Sequence, residues 1–316
     1  MRPLAILNPT SQGGKTGERA TELTRVLARY LGEVDVVATT HGGHAGELAE
    51  AAAEEGRDVV VAIGGDGTIH EVADGLMRAR DRGVTIPKLG IVGQGTGGDF
   101  RRTLGLEHRL DRYCQVIAEG RTRAVDVGRF GFRGHDGSER RAYFINILSV
   151  GLGGLVDRYI TRSNRPLGGT VAYFNATLRA LAKSEVGMLR CKVTYQGTTR
   201  EVQLATRTLA VCNGRYFGGG MEVAPMAEPD DGVFHVVSLG DAPKVQFFLS
   251  SLSIYRGKHV DLPKTEIFPC ESLEVDIENE HVRADFPLDV DGEPLGLLPL
   301  RIDVVPRALE VFVGSA

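Results

Sequence analysis

Asp58-Val59-Val60-Val61-Ala62-Ile63-Gly64-Gly65-Asp66-Gly67-Thr68-Ile69-His70-Glu71-Val72 changes its periodicity halfway along. Its first half is a short apolar run rich in β-branched side chains, the pattern of a strand buried on both faces. Its second half has helical spacing, with Ile69, Val72, Ala73, Leu76 and Met77 on one face. Between them lie Gly64, Gly65 and Gly67 with one carboxylate, Asp66. Glycine lets backbone N–H groups approach a ligand closely, and a helix N-terminus turns positive charge toward it. That combination suits a phosphate. A carboxylate beside phosphate repels it, so Asp66 implies an intervening divalent cation or a proton to be accepted.

Thr68 to Glu71 also spells T-x-x-E, a capping box that finishes a helix with no ligand at all. The spelling Gly64-Gly65-Asp66-Gly67-Thr68 resembles the nucleotide-binding signature shared by diacylglycerol kinases, sphingosine kinases, their bacterial lipid-kinase relatives and NAD kinases. The resemblance implies that Gly64, Gly65, Asp66, Gly67, Thr68, Ile69 and His70 hold ATP.

The 316 residues suggest about two domains. A hydrophobic fraction of 42% and a charged fraction of 25% are those of an ordinary globular chain, which argues against disorder. The net charge of −4 supplies no global attraction to nucleic acid or to an anionic membrane, so such contact needs a local patch. No nucleic-acid partner is expected. Cys114, Cys191, Cys212 and Cys270 form no C-x-x-C pair and read as isolated buried thiols in a reducing, cytoplasmic setting. Leu4 to Leu7 is too short for a signal peptide, and no run approaches the ~18 apolar residues of a spanning helix. A soluble chain, at most peripheral to a membrane, is the expectation.

Leu4 to Leu7 reads as a first strand that ends at Asn8-Pro9, before Ser11-Gln12-Gly13-Gly14-Lys15-Thr16 and a helical pattern from Glu18 to Leu31. This approximates a Walker A loop. However, Pro9 stands where that loop needs a glycine, and it has neither an N–H nor access to positive φ. Asn8-Pro9-Thr10-Ser11 instead resembles the opening N-P-x-S motif of the lipid-kinase family, which brings Asn8 into the nucleotide set. Val34 to Ala38 reads as a second strand, and Thr39 stands at its carboxyl end, where ligands meet open α/β sheets; strand-end and turn residues look the same there. His41, His44 and His70 lack the spacing of a metal motif.

Leu89 to Val92 reads as a fourth strand, ending in a second glycine-rich loop, Gly93-Gln94-Gly95-Thr96-Gly97-Gly98-Asp99-Phe100. It resembles the G-T-x-N-D-F-A motif of the same family, with Gly98 in place of asparagine and Arg101 in place of alanine. The match implies nucleotide contacts from Gly95 and Thr96 and retains Asp99. Through Val125-Asp126-Val127-Gly128 the pattern is βαβαβ, a doubly wound, Rossmann-like parallel sheet.

After about residue 128 short β-rich runs separated by Gly, Pro, Asp and Asn predict an antiparallel sandwich, interrupted by helices at Val171 to Lys183 and Ala242 to Ile254. Domains of 1–128 and 129–316 follow, with 301–316 returning to the first and the active site in the cleft between them. Asp230-Asp231-Gly232 satisfies a plain turn, and its acids and carbonyls also suit a hard divalent ion. The family resemblance implies a structural magnesium held by Asp231 and the carbonyls of Glu228 and Val233. Asp291-Gly292 marks a hairpin turn. Asp291-Gly292-Glu293 also resembles the family's acidic active-site segment, which implies a catalytic Glu293 with Asp291 and Asp66 beside the reaction. Arg158, Arg162 and Arg165 form a basic segment suited to anionic headgroups or simply to solvent.

Five motifs in order resemble one family along nearly the whole chain. What they imply is an ATP- and Mg²⁺-dependent lipid kinase of the diacylglycerol kinase catalytic-domain family. An NAD kinase is the rival reading, and a non-enzymatic nucleotide sensor is the rival of another class.

Overall fold

The structure, a computed structural model, describes residues 2–95, 97–162 and 177–314, without the side chains of residues 157, 158, 160–162, 293 and 294. Strands β1 (Leu4–Leu7), β2 (Asp35–Ala38), β3 (Val59–Gly64) and β4 (Lys88–Gly93) are parallel and lie in the order β4-β3-β1-β2. All of β3 is buried, so both faces of the sheet must be covered. The crossovers do this. The single turn α1 (Lys15–Glu18) and helix α2 (Ala20–Leu31) lead outward from β1 to β2. Helices α3 (His44–Glu54) and α4 (Asp66–Asp81) carry the chain back across the sheet. Right-handed crossovers in opposite directions put their helices on opposite faces. Accordingly α3 packs on α4, and α2 packs on α6 (Leu110–Glu119), which follows the short α5 (Asp99–Thr103). The strand order reverses between β1 and β3, and that switch point opens a crevice at their carboxyl ends.

The second half is antiparallel, as its spacing of strands and turns predicts. One branch runs β9 (Thr198–Thr206), β8 (Gly187–Tyr195), β15 (Ser272–Ile277), β17 (Glu293–Phe312), β5 (Thr122–Arg133) and β6 (Glu139–Phe144). The other runs β14 (Glu266–Cys270), β13 (Phe234–Ser238), β10 (Thr208–Cys212), β7 (Ile147–Gly151) and β16 (Pro287–Val290). Their inner faces share one core, in which Phe130, Leu189 and Leu273 meet Leu148, Val236 and Leu288. The β-rich sequence from Glu201 to Val211 forms parts of two strands, β9 and β10, broken at Arg207. Helix α7 (Leu152–Arg162) follows β7, and 177–183 is helical; of the helix expected from Val171, residues 171–176 lie outside the described residues, as does Arg165. All four cysteines are buried and unpaired.

One strand joins the two halves. β17 runs for 20 residues, antiparallel to β5 for most of its length, and its Val311 pairs in parallel with Leu89 of β4. The last segment thus enters the first sheet, and β5 passes residue 128 without a break. Between Val305 and Leu309 the register shifts to admit extra residues, and there the buried Asp126 carboxylate accepts the Arg307 N–H at 2.6 Å and the Gly232 N–H at 2.7 Å. The fully buried Asn213 amide donates to the carbonyls of Asp126 (2.8 Å) and Ile145 (2.7 Å), tying β5 to the turn before β7.

A buried carbonyl stripped of its donor costs roughly 1–3 kcal/mol. Asn213→Ala strands two such carbonyls, so thermal unfolding should show a melting temperature lower by several degrees. An unchanged melting temperature would show that Asn213 carries none of this join.

Candidate active site

The two glycine-rich loops leave β3 and β4 side by side and touch through bare backbone. A Cβ placed on Gly95 would stand 2.6 Å from Gly65 Cα, closer than any side chain tolerates. At the first loop, a Cβ on Gly64 would lie 2.3 Å from Thr68 Oγ1, so the threonine folds back over the strand end. Asn8, at the end of β1, donates from Nδ2 to that same oxygen at 3.0 Å, while its Oδ1 accepts from the Thr10 N–H (3.0 Å) and hydroxyl (2.8 Å). Asn8 and Thr68 therefore brace the switch-point crevice from inside the fold. Thr39 lies next in line, its N–H donating to Leu7 O at 2.8 Å just beyond β2. Thr96 lies outside the described residues.

Asp66 clamps the two loops together. Its carboxylate accepts the N–H groups of Gly98 (2.8 Å), Asp99 (2.9 Å) and Phe100 (3.3 Å), which are the open donors at the start of α5. Burial raises its pKa to about 6, and the nearby charges of Asp99 and Asp291 add to the shift against the opposing backbone hydrogen bonds. The T-x-x-E capping box does not form. Helix α4 begins at Asp66 with no side-chain cap, and Glu71 instead accepts the Gly43 (2.8 Å) and Ala45 (3.1 Å) N–H groups at the start of α3. Sequence spacing alone cannot tell a helix's own cap from its neighbour's.

The second half reaches this crevice at two places. The Asp291-Gly292 turn has φ of +51° and +92°, the geometry of a two-residue hairpin loop, and it pairs Val290 with Glu293. The Asp291 carboxylate is buried and accepts the N–H groups of Ile145 (3.0 Å), Asn146 (3.1 Å) and Ile147 (2.7 Å). It also meets His70 Nδ1 of α4 at 3.1 Å. His70, expected at the nucleotide, thus holds the hairpin. Glu293 opens β17, and its side chain lies outside the described residues. At the second place Asp99 accepts the Gly219 N–H (2.8 Å), and Thr103 Oγ1 accepts the Arg215 N–H (3.0 Å). Asp289 sits in the same hairpin, buried, with Ser149 Oγ donating to it at 3.4 Å. The roles of Asn146 and Asn213 carry no local sequence signal beyond a polar residue at a turn, and Gly218-Gly219-Gly220 signals only a turn.

The 228–233 turn lies beside Asp126, away from the loops. Arg123 pairs with Asp230 (Nε–Oδ2 2.7 Å) and Glu228 (3.2 Å), and Arg215 pairs with Glu228 as well. Asp231 receives the Val233 N–H at 3.1 Å. Its pKa is raised by partial burial and further by Asp230 and Glu228, partly offset by that hydrogen bond and by His235. A carboxylate crowded by acids has a use for a cation. Among the described residues, His41, His44 and Glu47 also bring ligand-type atoms within 4.8 Å of one another, although His44 Nδ1 already accepts the Thr40 N–H.

The model of the family described as the diacylglycerol kinase catalytic domain matches residues 2–130. That of the YegS C-terminal NAD kinase beta sandwich-like domain matches residues 146–313. Proteins named diacylglycerol kinase from two Staphylococcus aureus strains, bovine RF122 / ET3-1 and MRSA252, are each 28% identical over 314 residues, 99% of this chain and 93% of theirs. A diacylglycerol kinase structure from Bacillus anthracis str. Sterne superposes with a TM-score of 0.69 at 21% identity, covering 99% of this chain and 97% of the other. Yeast NADH kinase complexed with NADH gives 0.52 at 13% identity, covering 100% of this chain and 84% of its own. At these identities the two structural likenesses are likenesses of fold.

Asp66 holds its proton more tightly folded, near 6, than in an unfolded chain, where about 4 is usual. Its ionisation therefore opposes folding as pH rises through that window. The melting temperature of the wild type minus that of Asp66→Asn should fall between about pH 4 and pH 7. A difference that stays flat across the series would give Asp66 an ordinary pKa.

Proposed function

This chain belongs to the diacylglycerol kinase catalytic-domain family, and on that premise we propose that it transfers the γ-phosphoryl group of ATP to a lipid hydroxyl. One observation carries the reading: two glycine-rich loops touch at the carboxyl ends of β3 and β4, and the acidic hairpin from the other half is pinned to the helix that starts there. In this reading residues 1–128 bind the nucleotide and 129–316 the acceptor. The N–H groups of Gly64, Gly65, Gly67 and Gly95, with Thr39 and Thr96, receive the phosphates. Asn8, Thr68, Ile69 and His70 keep those loops in place. Asp66 orders the second loop and adds negative charge close to the phosphates.

Magnesium bound with the nucleotide would neutralise phosphate charge, which is most of what phosphoryl transfer asks of a site. A second, structural ion would be held by Asp231 with the carbonyls of Glu228 and Val233: burial first, and then Asp230 and Glu228, raise the Asp231 pKa, and a hard cation would offset that cost. Glu293 is the general base toward the acceptor hydroxyl, and Asp291 positions it. Diacylglycerol-like, phosphatidylglycerol-like and sphingoid acceptors all present such a hydroxyl. Radiolabelled ATP with a total lipid extract should yield a labelled lipid, and the same assay with NAD should yield none. Label in NAD alone would give the chain to the NAD kinases, and nucleotide binding without transfer would make it a sensor.

A positioned carboxylate contributes about 10²–10⁴-fold as a general base. Glu293→Gln should therefore lower turnover at least ~100-fold with ATP affinity nearly intact; turnover within a few-fold of wild type places the base elsewhere, with Asp66 next. Asp231→Ala should abolish the rise in melting temperature that Mg²⁺ produces. An equal Mg²⁺ shift in both proteins would return the turn to a purely structural role.

A further inference from the structure

The helix Lys244–Ser251 and the 3₁₀ turn Leu252–Arg256 that continues it are apolar on two faces, and the fold uses only one. Inward, Phe247 packs among Leu155, Val156 and Leu181, and Ile254 packs on Val223 and Ala224. Outward, Val245 is 75% exposed, Leu249 62%, Leu252 57% and Tyr255 51%. Residues 245, 249 and 252 recur at helical spacing and form one stripe. A single exposed leucine is ordinary, but a contiguous stripe of large apolar side chains marks a surface that another phase or molecule covers.

Charge says which. From residue 244 to 258 the chain carries Lys244, Arg256 and Lys258; of the acids beside it, Asp241 is paired with Lys264, Glu222 lies against Gly257 and receives the Tyr216 hydroxyl, and Asp261 is exposed. Lys244 Nζ donates to the Ala182 carbonyl at 2.7 Å, which sets the helical stretch 177–183 alongside. That stretch adds exposed Arg179 and Lys183, with exposed Glu185 just beyond it. In a chain of net charge −4, six cations (Arg179, Lys183, Lys244, Arg256, Lys258 and Lys264) stand on and beside these two stretches against four acids (Glu185, Glu222, Asp241 and Asp261), a local excess of positive charge around this outward apolar stripe. A second copy meeting this patch about a two-fold axis would set cation against cation. An apolar stripe framed by Lys and Arg is instead the pattern of a helix lying in a bilayer interface over anionic headgroups.

We propose that the segment 244–258, together with 177–183, docks on an anionic bilayer. Val245, Leu249, Leu252 and Tyr255 enter the boundary between headgroups and acyl chains, and the surrounding cations meet the headgroup charge. The same face connects to the candidate active site through one stretch of chain. The His259 Nε2–H donates to Val223 O at 2.8 Å, and the N–H of Gly219 in that stretch donates to Asp99 in the second glycine-rich loop. The choice of a bilayer as occupant rests on the lipid-kinase reading, so the test measures binding without nucleotide and without turnover.

Wild type should co-sediment with vesicles of phosphatidylglycerol and phosphatidylcholine and less with phosphatidylcholine alone. The double variant Leu249→Asp/Leu252→Asp should weaken vesicle partition roughly tenfold or more at unchanged melting temperature. Arg256→Glu/Lys258→Glu should erase the preference for the anionic vesicles. Equal partition by wild type and the aspartate variant, or no partition by wild type, overturns the proposal. So does a wild-type dimer in light scattering that the aspartate variant dissociates while vesicle binding persists, since the stripe then belongs to a second copy. Loss of vesicle binding in the aspartate variant supports docking even if no lipid accepts phosphate, an outcome that would sink the kinase reading alone.

Discussion

Asp291 is a charged group taken out of water and surrounded by donors. Its carboxylate accepts three consecutive backbone N–H groups, from Ile145 to Ile147, and meets His70 on the fourth side. Hydrogen bonds to an ionised acceptor are the strong ones, and removing such an acceptor would leave several buried donors unpaired. The consequence is geometric. His70 lies one turn along the helix that begins at Asp66, so the C-terminal hairpin is referenced to the start of α4. Glu293, two residues beyond Asp291, inherits its place in the chain's path from that pin. An aspartate tolerates positive φ better than most side chains, which lets one residue be both the turn and the anchor.

The parallel sheet was legible because its strands are buried on both faces and therefore read as unbroken apolar runs, β3 above all. The glycine loops were legible because close backbone contact excludes other residues, although the partner of Gly65 in the structure is Gly95 as well as any ligand. β17 was largely illegible. Pro294, Pro299 and Pro306 interrupt its sequence, and proline argues against an interior strand, so only Arg301 to Val305 reads as one. The strand absorbs its prolines with register shifts between Leu297 and Leu300 and between Val305 and Leu309, the latter held by Asp126. Glu71 shows the other kind of failure. Its local spacing fits a capping box, but a partner distant in sequence claims both of its oxygens.

The same contacts explain why acids stand beside the two glycine-rich loops. Burial first, and then the nearby charges of Asp99 and Asp291, hold the Asp66 proton up against its backbone donors. Fully ionised, the cluster is under self-repulsion that a bound cation would relieve. Each carboxylate also has structural work: Asp66 gathers the second loop, Asp99 reaches Gly219, and Asp291 holds the hairpin. Negative charge is thus placed by the architecture itself, and in the proposed reading a cation arriving with phosphate would meet acceptors that are already ordered.

From this follows a division of labour along a single stretch of the second half. Asn213 fixes its start to β5 and the turn before β7, Gly219 meets Asp99 at the glycine loops, and Val223 and Ala224 carry Ile254 and the outward apolar helix. The stretch is rich in glycine, and Cys212, Val223, Ala224 and Ala227 anchor it in a small apolar core. It is held by hydrogen bonds at both ends, from Asn213 and from His259. Between these ends the chain touches the second loop at Gly219, whose N–H donates to Asp99. The residues that order the second glycine-rich loop and those that face outward are therefore neighbours through the backbone, although little in the local sequence marks them as a pair.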